Sequence, residues 1–238
     1  MKKPRVIIVI PVYYGNLSEL AWSIEQQVLF FRNDLRKYDW KIVIANNGLK
    51  KDILPVAKKL HHQFPEVLFH DIDIPGRGAS LKAVWSKTHA DVFAYMDVDL
   101  ATDLHCFKDL IESILHGADL AVGSRYLRNS YAHRSVKRHI LSRAYNSFFT
   151  RFLLGATFSD AQCGFKAIHP RVVRSVLPLV RDDGWFFDTE LLYLCQKLGY
   201  TLHEVPVRWK ENTKSGVKIL RTVSQFLPKL LELRFRSL

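Results

Sequence analysis

Cysteine is scarce: Cys106, Cys163 and Cys195 stand far apart in the 238 residues, with no CxxC pair and no nearby histidine pair at ligand spacing. That argues against a structural zinc or a disulfide framework and for a reducing compartment. The ten histidines form no metal-ligand pattern either. Long apolar runs are missing too. The basic start, Met1 to Arg5, gives way at once to apolar residues 6–10. That run is too short for a signal peptide or a membrane span and reads as a buried strand. No other stretch reaches the roughly 18 uncharged apolar residues of a spanning helix, so a soluble or peripheral protein is expected. Acidic residues are outnumbered, with 23 Asp plus Glu against 35 Lys plus Arg, giving a formal charge of +12. Such an excess favours an anionic partner: nucleic acid, phosphorylated substrate or acidic lipid headgroups. Charge alone does not choose among them.

What is present suits one sizeable core, since hydrophobic residues make up 48% and charged residues 24%. There is no internal repeat or low-complexity tract. Strand signals at residues 6–10, 41–45, 67–71 and 92–96 alternate with helical patterns at about 17–35, 53–63 and 79–88. This alternation predicts an α/β fold with a mostly parallel central sheet flanked by helices. Ligands of such sheets sit at the carboxyl ends of the strands, where Pro11, Asn46, Asp73 and Asp97 would converge. The second half is less regular. A short strand is expected at 120–122, a helix with a strongly apolar face at 140–154, helices near 170–180 and 188–198, and a late strand at 202–207. Residues 217–238 read as a basic amphipathic helix broken near Pro228.

Asp97-Val98-Asp99 follows the apolar strand 92–96. In a strand the two carboxylates project to one side, an arrangement suited to a hard divalent cation shared with phosphate oxygens. The bland alternative is a strand cap and turn. Gly76-Arg77-Gly78-Ala79 opens a helix but is neither a Walker loop nor a full GxGxxG fingerprint. It reads either as a tight helix entry or as a phosphate cradle. Arg125, Arg128, Arg134, Lys137, Arg138 and Arg143 form a basic segment, with Tyr126, Tyr131 and Tyr145 available for stacking on nucleic acid. The apolar helix beside it tilts the reading toward a molecule with a phosphate head and a hydrocarbon tail. Asp188 and Glu190 open a helix, where they could cap it, position a sugar or act as a base. Cys163, beside Gly164, reads as a packed small residue.

Taken in order, these strings resemble the family-2 glycosyltransferases of GT-A fold, in their dolichyl-phosphate (polyprenyl-phosphate) glucosyl- and mannosyltransferase branch. They run from Ile10-Pro11-Val12-Tyr13 and Ile44-Ala45-Asn46-Asn47-Gly48 through Pro75-Gly76-Arg77-Gly78-Ala79 to Tyr95-Met96-Asp97-Val98-Asp99-Leu100. They continue in Val122-Gly123-Ser124-Arg125-Tyr126, Lys137-Arg138, the run Asp160 to Ala167, Phe187-Asp188-Thr189-Glu190 and Val205-Pro206-Val207-Arg208-Trp209. The strings at Gln162 to Lys166 and Phe187 to Glu190 lean toward the glucosyl side.

The resemblance implies that Pro11, Tyr13, Asn46 and Asn47 hold the nucleoside, with Gly76, Arg77 and Gly78 on the nucleotide-sugar side. Asp97 and Asp99 would hold ribose, diphosphate and Mg²⁺ or Mn²⁺. Arg125, Arg138 and Ser142 would grip the acceptor phosphate, and Glu190 would sit by the transferred sugar, with Asp188 as a second acid. This chain departs from the family in having Asn46-Asn47-Gly48-Leu49 for Asp-Asp-Gly-Ser, Ala101 where some members have Gln, and Ser215-Gly216-Val217 for Ser-Lys-Val. The expectation is a transferase domain over 1–212 with a basic helical segment over 213–238. It would be peripheral on the cytoplasmic face of a membrane and transfer a hexose from UDP-glucose, or alternatively GDP-mannose, to a polyprenyl phosphate. The partners would include an anionic membrane surface and no nucleic acid. The rivals are a family-2 transferase with a soluble acceptor and a non-catalytic basic binding protein.

Overall fold

A computed structural model describes residues 2–13, 17–46, 53–211 and 219–237. Its strands are β1 (Arg5–Val12), β2 (Asp39–Asn46), β3 (Val67–Asp71), β4 (Val92–Met96), β5 (Leu120–Ser124), β6 (Tyr131–His133), β7 (Phe165–Ile168), β8 (Leu202–Pro206) and β9 (Arg208–Lys210). Seven form one sheet in the order β3-β2-β1-β4-β7-β5-β8. All its pairings are parallel except those of β7, which runs antiparallel to both neighbours. The four residues of β7 and the five of β4 are all buried, as befits central strands covered on both faces. β6 and β9 pair as a separate two-stranded parallel sheet.

The helices are α1 (Leu17–Asp34), α2 (Ile53–Gln63), α3 (Arg77–Lys87), α4 (Phe107–Leu115), α5 (Val136–Ala144), α6 (Pro170–Ser175), α7 (Phe187–Lys197) and α8 (Ile219–Phe235). Opposite residues in a ladder share a face, so Tyr95 with Lys166 and Met96 with Phe165 point to opposite sides of the sheet. On one side Phe31, Trp40, Phe107 and Phe165 meet at ring distances of 5.2–5.5 Å. On the other, Trp85 lies 6.1 Å from Tyr95 and 6.3 Å from Phe187. The candidate site is built on this second side.

Three differences from the sequence reading have local causes. The helix expected at 140–154 is α5 followed by a π-helical stretch, Tyr145–Leu153, where side-chain hydroxyls such as Thr150 donate back to the carbonyl four residues earlier. The break expected near Pro228 does not occur. α8 runs through it, giving up one ladder bond while Phe226, Leu230 and Leu233 bury themselves in the protein body. Asp188 does not cap α7, whose N-cap position is Phe186 and has no side-chain cap.

Candidate active site

The register of the parallel strands aligns their carboxyl ends. Val12 pairs with Asn46, Asn46 with Asp71, and Val9 with Tyr95, which brings Asp97 level with Pro11. The chain then turns sharply. Leu100 sits in left-handed backbone at φ 51°, an uncommon conformation for a non-glycine residue and one that clusters at functional sites. The turn lets Asp99 Oδ1 accept the Ala101 N–H at 3.1 Å. Asp97 is anchored by its N–H to the Gly164 carbonyl at 3.1 Å. A Cβ on residue 164 would lie 2.1 Å from Asp97 Oδ2, so the glycine makes room for this carboxylate.

Behind Asp97 runs a chain of buried charges. Arg77 Nη2 donates to Asp97 Oδ1 at 2.5 Å and Nη1 to Asp188 Oδ2 at 3.2 Å. Asp188 is fully buried, and its other oxygen accepts from Lys166 Nζ at 2.8 Å and from the Tyr95 hydroxyl. Lys166, also fully buried, donates to the Cys163 carbonyl at 2.6 Å. Burial works against the Arg77 charge, yet Asp97, Tyr95 and Asp188 outweigh it and hold the guanidinium firmly protonated. Burial raises the Asp97 carboxyl, opposed by Arg77. The side chain keeps 40% of its surface, so solvent softens that shift. Asp99 is pushed up to about 6 by burial and then by the Asp97 charge. In both groups the charged form is disfavoured, a cost that a bound cation would relieve.

Arg77 is only 8% exposed, and its guanidinium stacks 4.1 Å from the Trp185 ring. Trp185 belongs to a strap, residues 181–187, that lies over Gly76-Arg77-Gly78. The Asp183 carbonyl accepts the Ala79 N–H at 3.0 Å. A Cβ on Gly76 would come within 2.0 Å of that carbonyl oxygen, and one on Gly78 within 2.6 Å of the Asp182 oxygen. The two glycines therefore admit the strap, and Gly76 takes φ +136° besides. This geometry makes a tight helix entry that delivers the Arg77 side chain to Asp97. Glu190 lies at the other end of the strap. It accepts the N–H groups of Arg181 and Asp182 at 3.0 and 2.8 Å and pairs with Arg236 of α8 at 2.8 Å. Neither Glu190 nor Asp188 presents a free carboxylate.

Tyr13 stands 60% exposed beside half-buried Pro11. Asn46 is buried and donates to Asp71 Oδ1 at 2.7 Å. Asn47 lies outside the described residues, as does the Arg138 side chain. Arg125 meets Asp160 through Nε at 2.7 Å and Nη2 at 2.8 Å. Asp160 is fully buried, so that edge of Arg125 is already taken. Ser142 accepts from Arg134 Nη1 at 2.9 Å and is hydrogen-bonded to the Tyr126 hydroxyl. The structure thus groups Asp97, Asp99, Arg77 and Asp188 in one cluster, and Ser142, Tyr126, Arg134 and Arg125 in another. Sequence reasoning passed over Lys166 and Gly164 as functional positions. Cys163 is a packed thiol, lifted to about 12 by burial, and all three cysteines are free.

A fold of this topology with paired acids at the end of its fourth strand defines a sugar-nucleotide transferase class of the GT-A type. The chain belongs to glycosyl transferase family 2, whose family model matches residues 7–177. Glycosyltransferase AglD of Haloferax volcanii is 31% identical over 92% of this chain, which spans 35% of that protein. A dolichyl-phosphate beta-glucosyltransferase of Dictyostelium discoideum is 26% identical over 97% of this chain, which spans 74% of it. In fold, glucosyl-3-phosphoglycerate synthase of Mycobacterium tuberculosis, solved with Mn²⁺, uridine-diphosphate and phosphoglyceric acid, superposes with a TM-score of 0.71. Sequence identity there is 16%, and the match covers 97% of this chain and 78% of that one. Among the described residues no helix is long and apolar enough to cross a membrane.

Proposed function

We propose that this chain is an inverting, metal-dependent hexosyltransferase. It would move glucose, or alternatively mannose, from a nucleotide-diphosphate sugar to a polyprenyl phosphate of the dolichyl type. The observation that carries the reading is the pair Asp97 and Asp99 at the carboxyl edge of β4, with Asp97 braced by Arg77. The donor set fits Mg²⁺ or Mn²⁺: Asp97 and Asp99 supply hard carboxylate oxygens in the turn that follows β4, and Asp97 Oδ2 has no hydrogen-bond partner among the described residues. Bound there, the cation would neutralise charge on the departing diphosphate.

The rest is work for side chains. Tyr13, Pro11 and Asn46 line the nucleoside end, and Arg77 brings a fixed positive charge to the diphosphate. The acceptor phosphate attacks the anomeric carbon as the bond to the diphosphate breaks, in one displacement that inverts the centre. With a second pKa near 6, a phosphate monoester is substantially dianionic at neutral pH. It needs no protein base, and positioning carries the rate. That agrees with the engagement of both Asp188 and Glu190 in structural bonds, and a soluble hydroxyl acceptor would require one of them free. We assign Asp188 to holding Arg77 and Glu190 to holding the strap.

A membrane surface is the natural venue. Leu227, Leu231 and Phe235 follow one another at four-residue spacing along α8 with 39%, 43% and 81% exposure. Ile140, Val136 and Phe152 are exposed on α5 and the π-helical stretch, against which α8 packs. Exposed apolar residues on a strongly basic chain suit an anionic, cytoplasm-facing bilayer surface. The test is transfer from radiolabelled UDP- and GDP-sugars to a short polyprenyl phosphate with Mn²⁺ or Mg²⁺. Label in the organic phase with one donor supports the reading; cation-dependent label only in soluble products overturns the lipid acceptor.

A further inference from the structure

Two arginines flank Trp209, and they are used differently. Arg125 lies 5.3 Å and Arg134 5.8 Å from the Trp209 ring. The small sheet makes this possible, because Arg134 directly follows β6 and Trp209 is the middle of β9. A guanidinium offers its Nε and Nη2 groups as a side-on edge that matches two oxygens of a carboxylate or phosphate. Arg125 spends that edge on Asp160. In Arg134 only Nη1 is engaged, by Ser142, while Nε and Nη2 are buried without a hydrogen-bond partner. Among the described residues no carboxylate pairs with Arg134. Buried donors are rarely left unmade, and a charged one is costly to leave so. Tyr126, 5.2 Å away, faces the same guanidinium.

We propose that Arg134 is an oxyanion-binding residue whose Nε/Nη2 edge takes two oxygens of the acceptor's phosphate monoester. The assignment rests on the transferase reading above and gives the acceptor site a residue other than Arg125. Ser142 holds the guanidinium through Nη1, and the Tyr126 and Trp209 rings face it at 5.2 and 5.8 Å. The edge lies beneath the surface, so the phosphate engages it as half-buried Tyr126 and Trp209 shift, a side-chain adjustment common on binding. Arg125 is then a clamp that fixes the turn at Asp160.

Three proteins test this: the full chain, Arg134→Lys, which keeps the charge but loses the fork, and Arg134→Gln. Binding is measured by calorimetry with inorganic phosphate, with short polyprenyl phosphate in micelles, and with polyprenol in the same micelles. The expected result is binding of both phosphates and not of polyprenol, weakened about tenfold or more by either substitution, as for loss of a bidentate charged pair. The KM for polyprenyl phosphate rises in step, while the KM for the nucleotide sugar stays unchanged. Ser142→Ala, a milder change, should weaken phosphate binding in the same direction and covers a folding failure at Arg134. Wild-type affinity for polyprenyl phosphate in both Arg134 variants overturns the proposal, as does full retention in Arg134→Lys, which would reduce the role to bulk charge. Arg134-dependent binding of inorganic phosphate without any transfer to the lipid upholds the oxyanion site and overturns the lipid acceptor instead.

Discussion

The Arg77 guanidinium lies 2.5 Å from the Asp97 carboxylate and ties it to a carboxylate in the core, since the same group reaches Asp188 at 3.2 Å. Asp97 therefore is not set merely by its place at a strand end. It is held from behind through Arg77, Asp188 and Lys166, with Tyr95, which also donates to Asp188, packed 6.1 Å from the Trp85 ring. Arg77→Gln keeps a hydrogen-bonding side chain but removes the charge. Its expected effect is a fall of about two to three orders of magnitude in kcat, the cost of losing one preorganised charge at a leaving group. Single-turnover transfer rates measure it.

Asp188→Asn preserves shape and strands Lys166 without a counter-ion. Breaking a buried pair from one side costs about 3–5 kcal/mol. Thermal melting should show a large drop in Tm, and Lys166→Met with Asp188→Leu should recover much of it while leaving activity lost.

The acid pair makes stability and cation binding depend on pH. Burial and the Asp97 charge push the folded Asp99 carboxyl up to about 6, above its unfolded value of about 4. The folded state thus holds that proton more tightly, so the stability it lends is present at low pH and is lost as pH rises through 6. A divalent cation must displace the same proton. Mn²⁺ should therefore raise Tm more at pH 7.5 than at pH 5, and Asp99→Asn should be the more stable protein without metal at pH 7.5. Melting curves at the two pH values check both signs.

Gly164→Ala puts a methyl where Asp97 Oδ2 sits, 2.1 Å from the ideal Cβ. The carboxylate has to move by more than an ångström, and misplacement on that scale costs on the order of a hundredfold in rate. Secondary structure by circular dichroism should be unchanged, with both kcat and cation-dependent nucleotide affinity reduced.

Replacing Leu227, Leu231 and Phe235 together by Ser removes an apolar stripe whose members are 39%, 43% and 81% exposed. Fully burying such a side chain is worth about 1.5–3 kcal/mol, which bounds the loss in vesicle affinity. Flotation with anionic vesicles should fall sharply, far more than the modest drop in Tm from the half-covered Leu227 and Leu231.

Much of this was legible in the sequence. Continuous apolar runs at β1, β2 and β4 fixed the parallel half, and Asp97-Val98-Asp99 stood out because it follows one of them. α4 was passed over although Phe107, Leu110, Ile111 and Ile114 repeat at helical spacing and are all buried. The direction of β7 carried no local signal, because pairing direction is a matter of topology. Lys166 hid in a strand, where its charge spoke against burial; only its pairing with Asp188, 22 residues on, explains it. Glycine meant backbone approach at Gly76 and Gly78, but the approaching group is the strap 181–187, over a hundred residues away in sequence. Counting arginines could not separate Arg125 from Arg134, because what divides them is which one has a carboxylate partner in space.

The central claim is that the attacking group is a lipid phosphate needing no base from the protein. The most direct test incubates the enzyme with radiolabelled UDP-glucose, Mn²⁺ and either polyprenyl phosphate or the polyprenol of equal length. The account predicts organic-phase label with the phosphate alone, as the β-linked product of inversion. Equal transfer to the polyprenol, or label confined to water-soluble acceptors, would contradict it.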